Sequence, residues 1–223
     1  MKSKFYKTGV YRISEEFEHS DTLKEIYKKL LNDEWGVVHK GLNQYADNWK
    51  AIHFIRSGKK TDYYNKFPEI EKVRSFFECR VNILAFYCAM PGTHIHPHID
   101  MSGHLALGRL RFHVPLKTNE DCTIIMGKKN PVSHHMGLNE LWALDTSHTH
   151  SVKNESKEVR IHLLVEVHTN KWVWGLIPPR NFGYYVHMLK FFIILHYYCT
   201  YKAAERERFA QTILPKNQKT LWI

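Results

Sequence analysis

The chain has no long apolar run. Hydrophobic residues make up 43% of its 223 residues, yet the longest uninterrupted aliphatic or aromatic stretch near the C-terminus is 191–195, bounded by Lys190 and His196. A membrane-spanning helix needs about 18 or more such residues, so no span is expected. The opening MKSKFYKTGVYRISEEF has no apolar core of the secretory kind, and a signal peptide is not expected either. Cysteine is scarce. Cys79, Cys88, Cys122 and Cys199 form no CxxC pair and no zinc-like spacing, which excludes a disulfide miniprotein and points to free thiols in a cytoplasmic protein. No internal repeat or low-complexity tract is visible. Acidic residues are the minority charge: 32 Lys and Arg against 22 Asp and Glu leave a net charge of +10. That excess attracts nucleic acid, anionic membrane or small anionic ligands without choosing among them. A nucleic-acid-binding β-domain could use Lys59-Lys60, Lys128-Lys129 and Arg206/Arg208 against phosphates, but no helix-turn-helix, RRM or zinc-finger signature supports it.

What is present divides into three textures. Residues 13–32 read as a helix capped by Ser20 or Asp21, with Leu23, Ile26, Tyr27, Leu30 and Leu31 at helical spacing. Short strands are expected around 36–39 and 49–55, and a short helix over 68–77. From Cys79 to Val167 the runs RVNILAFY, GRLRFHVPL, CTIIMG, LWALD and EVRIHLLVEV alternate with turn residues, as in an antiparallel sandwich or barrel. After Pro178-Pro179, residues 184–201 are apolar on all sides, and KAAERERFAQTIL turns polar. A helix hydrophobic all round belongs in a core, an oligomer interface or a lipid surface. One domain is expected: a helical or mixed N-terminal flank over 1–78, a β-core over 79–179 and a helical extension over 180–223.

Two strands carry an unusual polar face. Arg109, Arg111 and His113 share one side of GRLRFHVPL, with Leu110, Phe112, Val114 and Leu116 on the other. In VRIHLLVEV, Arg160, His162, Leu164 and Glu166 oppose Ile161, Leu163, Val165 and Val167. A solvated face is the plain explanation. A barrel that holds an anion inside, with its apolar outside covered by helices, gives the same pattern.

The chain has 16 histidines, so metal-like spacings arise by accident and each needs testing. His98-Ile99-Asp100 places an imidazole and a carboxylate two residues apart on an extended segment. A later histidine would complete a two-histidine, one-carboxylate triad, which leaves positions open on Fe(II) for a bidentate co-substrate and O₂. His-x-Asp alone is weak and equally describes a turn histidine beside an Asx-turn. The surrounding order strengthens it: Pro91-Gly92 turns the chain before the motif, His150 follows Leu144-Asp145-Thr146, and Arg160 lies ten residues after His150. A cation deep in a barrel needs an anion, and a dicarboxylate such as 2-oxoglutarate suits arginine's planar fork. Other histidines compete. His94 and His96 lie on the same alternation as His98, and His148 precedes His150 by two. A cupin would need a glutamate four or five residues after His96-Pro97-His98 and a later glycine, but Ser102 and Gly103 stand at those positions, which disfavours a cupin isomerase or binding module. His134-His135 falls in a turn-rich, exposed stretch.

The ordered set PGTHIHPHID, GRLRFHVPL, LWALDTSHTHSVKN and EVRIHLLVEV resembles the aspartyl/asparaginyl β-hydroxylase family of Fe(II)/2-oxoglutarate dioxygenases, which includes bacterial proline hydroxylases and a lipid A fatty-acyl hydroxylase. The resemblance runs from about Trp35 to Val167. It implies a mainly β, double-stranded β-helix (jelly-roll, cupin-like) with flanking N- and C-terminal helices. It implies iron ligands at His98, Asp100 and His150, with Arg160 on the far carboxylate of 2-oxoglutarate and Arg111 and His113 near its other end. Some animal members lack the acidic ligand, which Asp100 supplies here. Tyr87 stands where some members place a serine beside the co-substrate. Asn139 stands for a usual glycine and also tolerates the left-handed conformation.

The implied reaction is hydroxylation of an unactivated C–H bond with succinate and CO₂ as co-products. The expected substrate is a free amino acid or similar small zwitterion, then a residue in a peptide or protein, then an acyl chain at a membrane. Residues 180–223 hold seven basic and two acidic residues. That extension either packs on the barrel or a second subunit, as in a homodimer, or makes peripheral contact with anionic lipid.

Overall fold

The computed structural model of the chain describes residues 8–200 apart from 32, 34, 38–47, 101–102, 129 and 180–181. In chain order the strands are β1 (Val10–Ser14), β2 (Gly36–Val37), β3 (Trp49–Arg56), β4 (Lys59–Lys60), β5 (Val81–Ala89), β6 (His94–His98), β7 (Arg109–Lys117), β8 (Cys122–Met126), β9 (Val132–His135), β10 (Leu141–Leu144), β11 (His150–Asn154) and β12 (Arg160–His168). The helices are α1 (Ser20–Lys29), α2 (Asp62–Lys66), α3 (Ile70–Phe76), α4 (Lys171–Leu176) and α5 (Phe182–Thr200), with a 3-10 turn at Leu105–Leu107.

Two antiparallel sheets form the core. The larger runs β1-β10-β7-β12-β5-β3-β2 with β4 on β3, and the smaller runs β6-β11-β8-β9. The alternation along β7 and β12 decides which face of the large sheet is covered. Leu110, Phe112, Val114, Ile161, Leu163, Val165 and Val167 lie on its outer face, with Leu84 and Phe86 of β5 and Ile52 and Phe54 of β3. Leu23, Ile26 and Leu30 of α1, Ile70 and Val73 of α3, and Val173 of α4 pack into the same cluster. Burying one such side chain contributes about 1.5–3 kcal/mol, so this layer holds the fold. The arginines and histidines of β7 and β12 are thereby left on the inner face, toward the smaller sheet. A second, smaller apolar cluster of Val10, Ile124, Met126, Met136 and Leu144 closes one part of the space between the sheets.

The N-terminal helix expected over 13–32 is shorter. Val10–Ser14 is strand β1, pairing with β10 through Tyr11–Ala143 and Arg12–Trp142. Edge pairing outweighs helical periodicity at Ile13, where the large sheet gains a strand. Neither expected cap holds: His19 precedes the helix and makes no side-chain capping bond, while Asp21 sits in the first turn, where an acid favours the helix dipole. Strands β3 and β5 and helix α3 fall within a residue or two of their expected places. His134-His135 lies in strand β9, paired to β8, rather than in a turn. Asn139 does adopt the left-handed conformation, at φ 64°. Its N–H donates to the Pro115 carbonyl at 2.8 Å, and its own carbonyl accepts from Phe17 N–H at 2.8 Å. The apolar 184–201 stretch is helical as far as α5 reaches; KAAERERFAQTIL, Arg206/Arg208 and Lys129 lie outside the described residues.

Candidate active site

His98 ends β6 and His150 begins β11, and the antiparallel register places them directly opposite each other. The register then slips: Val152 pairs with Ile95, so β6 carries one residue more than β11 across this step. A bulge of this kind redirects side chains. It puts His98, 2% exposed, on the buried side with Ile95, 1% exposed, and leaves His94 and His96 half-buried on the other. The shared alternation expected for His94, His96 and His98 is therefore broken. Pro97, which has no N–H to offer the ladder, sits within the bulge.

His98, Asp100 and His150 come together as one buried cluster, their ligand atoms all within 4.8 Å of one another. His98 Nε2 lies 3.2 Å from Asp100 Oδ1, and His150 Nε2 lies 3.8 Å from Asp100 Oδ2. The two rings are 4.2 Å apart between centroids. Each imidazole is oriented by the backbone: His98 Nδ1 is 2.7 Å from the His96 carbonyl, and His150 Nδ1 is 3.0 Å from the His148 carbonyl. A carbonyl only accepts, so each Nδ1 carries the proton and each Nε2 offers its lone pair. That is the tautomer a metal requires. His148 contributes its carbonyl to this arrangement and its ring is not part of the cluster; nor are His94, His96, His134 or His135.

The loops around the cluster are hydrogen-bonded together. Asp100 N–H donates to the Thr146 carbonyl at 3.1 Å, and Thr146 Oγ1 donates to the Gly103 carbonyl at 3.1 Å. Buried Asp145 accepts from Leu105 N–H at 3.3 Å and Ser147 N–H at 3.2 Å. Burial alone would raise the Asp100 pKa, but the Arg111 guanidinium and the two imidazoles outweigh it and hold the carboxyl far below its usual range. Burial, then the neighbouring His98 ring, lowers His150 to about 4. The result is an anionic carboxylate beside a neutral His150.

The inner face of the large sheet forms the adjoining wall. Arg111 ion-pairs with Asp100 and donates from Nε to Glu166 at 3.1 Å. Glu166 is fully buried. His113 lies opposite Leu164, and Tyr87 opposite His162. The Tyr87 ring is 5.7 Å from Trp49 and 5.8 Å from His53, and burial raises its pKa. Arg160 is only 6% exposed. Among the described residues no carboxylate pairs with it, and burial pulls its pKa down to about 10. Arg160 donates from Nη2 to His162 Nδ1 at 3.1 Å. The His162 proton therefore sits on Nε2, which is buried with no partner. His113 Nδ1 is likewise buried and unpartnered. Burial, then the charges of Arg160 and Arg111, hold the His113 pKa far down, with smaller effects from His150 and Asp100. His113 is thus within electrostatic reach of both Arg160 and the His-Asp-His cluster.

Three residues that support the site have no role assigned from sequence. Glu166 and His162 share a strand face with Arg160, which is their only signal there, and the sequence leaves open whether that face meets water. Asn154 carries no signal. It is fully buried and shares its amide N–H groups among the Ala89, Met90 and Glu158 carbonyls at 2.9, 3.1 and 2.7 Å. Its Oδ1 accepts from Ser156 Oγ at 2.7 Å. It fixes the turn that delivers Arg160 to the start of β12.

The family model described as aspartyl/asparaginyl beta-hydroxylase matches residues 16–170. The chain belongs to this family. No sequence match was found among curated proteins. Solved structures give the fold. A 2OG-Fe(II) oxygenase family oxidoreductase from Burkholderia pseudomallei is similar at TM-score 0.53 and 10% identity, over 76% of this chain and 89% of that one. HygX from Streptomyces hygroscopicus, with nickel and 2-oxoglutarate bound, gives TM-score 0.52 and 9% identity over 76% and 86%. A prolyl-4-hydroxylase from Pseudomonas putida gives TM-score 0.50 and 12% identity over 75% and 96%. The two facing sheets of this hydroxylase family member are those of a double-stranded β-helix.

Proposed function

We propose that the chain is an Fe(II)/2-oxoglutarate-dependent hydroxylase acting on a free amino acid or a similar small zwitterion, with succinate and CO₂ as co-products. The carrying observation is the buried Arg160, lacking a carboxylate partner among the described residues, on the inner wall that also faces the His98–Asp100–His150 cluster. A buried cation without an anion is costly, and a dicarboxylate co-substrate supplies one. Bound Fe(II), with 2-oxoglutarate and O₂, supplies the oxidising chemistry that inserts oxygen into a C–H bond. His98, Asp100 and His150 would hold the metal through the Nε2 atoms and one carboxylate. Arg160 and the His162 Nε2–H bind the far carboxylate of the co-substrate. Arg111 and His113 lie near its other end, and the bulk of Tyr87 narrows the space beside it.

At the substrate side, Arg109 is one-third exposed and ion-pairs with Glu166 at 3.3 Å. It offers a guanidinium to a substrate carboxylate, while Trp49 and Tyr87 offer apolar surface. The described cysteines Cys79, Cys88 and Cys122 are free thiols, which fits the reducing cytoplasm. A succinate-formation screen across amino acids, peptides and lipid precursors tests the reading. Turnover confined to peptides or lipids would overturn the substrate class, and no succinate with any of them, metal and 2-oxoglutarate being bound, would overturn the activity.

A second reading, acyl-chain hydroxylation at a membrane surface, has one observation of its own. The Phe191 ring of α5 packs at a tilt against His104, 3.9 Å between centroids, but Phe182, Tyr185, Leu189, Phe192 and Ile193 are exposed along the opposite side of that helix. Among the described residues no helix is long and apolar enough to cross a membrane. Such a face suits an interfacial helix or a second subunit. Co-sedimentation with anionic vesicles favours the first, and a dimer mass in light scattering favours the second.

A further inference from the structure

Glu166 is the most deeply placed charge of the inner wall, and nothing proposed so far uses it. It is fully buried and gathers donors from two neighbouring strands. Its Oε1 accepts from Asn82 Nδ2 at 2.7 Å and from Arg109 Nη1 at 3.3 Å. Its Oε2 accepts from Arg111 Nε at 3.1 Å. Arg111 in turn donates from Nη1 to Asp100 Oδ2. Two local features build this array. The register between β12 and β5 slips after Glu166: Glu166 faces Ile83, whereas Val167 faces Val81. Asn82 is the extra residue of that bulge, which turns its amide toward Glu166. Gly103, at φ 71°, lies against Arg111 so closely that a Cβ there would come within 2.7 Å of its Cγ and Nε. The arginine is thus held by Glu166 and packed closely against the Gly103 backbone.

We infer that Glu166 is a positioning residue for the metal centre: it occupies the Nε edge of Arg111, so that the guanidinium holds Asp100 by one oxygen and leaves the other for the metal. The inference rests on the metal-site reading above. An arginine fork favours bidentate contact with a carboxylate, both oxygens being taken at once. Asp100 captured in that way would lose the oxygen that now lies 3.2 Å from His98 Nε2. By holding Nε, Glu166 closes the Nε–Nη2 edge to Asp100 and fixes the guanidinium in the orientation in which Nη1 meets Asp100 Oδ2. Its negative charge also offsets that of Arg111 close to a site meant for a dication. Both effects act in one direction, toward tighter metal binding.

The test is Co(II) titration of the full-length protein without 2-oxoglutarate, followed by calorimetry and by the visible absorption of the bound ion. Groups that orient metal ligands typically change affinity by about 10–100-fold when altered. Glu166→Gln, which keeps the shape and removes the charge, is expected to weaken Co(II) by that factor and to change the absorption band. Glu166→Asp is expected to recover part of the affinity. A folded Glu166→Gln protein with wild-type affinity and spectrum would overturn the inference, since a merely structural role moves the melting temperature alone. Should that variant fail to fold, Gly103→Ala carries the test, because its Cβ would displace the Arg111 side chain from the position in which it meets Glu166 and Asp100; unchanged Co(II) affinity there would overturn it equally. Wild-type protein that binds no Co(II) would instead sink the metal-site reading itself.

Discussion

Replacing Arg160 with alanine separates a co-substrate anchor from an ordinary buried cation. A charge-assisted hydrogen bond contributes about 1.5–3 kcal/mol, and a carboxylate bound by the fork loses at least one when the guanidinium is removed. At about 1.4 kcal/mol per decade, 2-oxoglutarate should bind roughly ten- to a hundred-fold more weakly. Without ligand the same change removes a desolvated charge that no carboxylate offsets, so the protein itself should not be destabilised. Thermal unfolding with Mn(II) in place of iron reads both effects without turnover. Ligand at 100 times its dissociation constant stabilises a fold by about 2.7 kcal/mol. For a chain of this size that corresponds to roughly 5–10 °C. After a hundred-fold loss the same concentration equals the new dissociation constant, and the shift falls to about 1–2 °C. Arg160→Lys should recover only part, because a point charge does not reproduce the fork. An undiminished ligand-induced shift in Arg160→Ala would refute the reasoning and move the carboxylate clamp to Arg109 or Arg111.

The reversed polarity of β7 and β12 was the most informative feature of the sequence. Strands whose arginines and histidines alternate with Leu, Ile, Val and Phe ordinarily turn their polar side to water. Here the apolar side is covered by α1, α3 and α4, and the polar side faces the second sheet. The periodicity of two was legible; which side water took was not, because that depends on helices distant in sequence. The same limit explains β1. The expected helix begins at Ile13, and only the partner strand β10, about 130 residues later, makes that residue extended.

Within the site, the residues with strong chemistry were legible and their supports were not. His98 and Asp100 are two apart in sequence and His150 and Arg160 ten apart, so short segments together with the family resemblance carried them. The two bulges, at His96–Pro97 and at Asn82, are register events. Each arises from a mismatch between two strands and leaves no mark on either one alone. They decide that His94 and His96 turn away from the cluster and that Asn82 turns toward Glu166. Asn154 was invisible for a related reason, since its carbonyl partners lie on a segment 64 and 65 residues earlier and on the turn just after it.

Three further outcomes are expected. His98→Ala, Asp100→Ala and His150→Ala should each abolish Fe(II)- and 2-oxoglutarate-dependent succinate formation with an unchanged circular dichroism spectrum; normal turnover in His150→Ala would move the distal ligand to His148. Asn154→Ala strands several buried carbonyls at about 1–3 kcal/mol each, so its melting temperature should fall by at least roughly 5 °C, and a fall below 2 °C would remove its role in shaping the turn. Glu140 should make stability fall in acid. Burial would raise its pKa, but Arg12 Nη1 at 2.6 Å, Trp142 Nε1 at 2.8 Å and Gly137 N–H at 2.6 Å outweigh it, and the folded pKa is lowered. A carboxylate held below its unfolded value of about 4.3 stabilises the fold above that pH, and the contribution is lost as pH falls through the folded value. Arg12 is partly exposed, so screening limits the effect to about 1–2 kcal/mol. Urea unfolding of Glu140→Gln should therefore show a deficit of that size at pH 7 that closes toward pH 3; a deficit equal at both would mean that the amide disturbs packing and that the charge carries none of the stability.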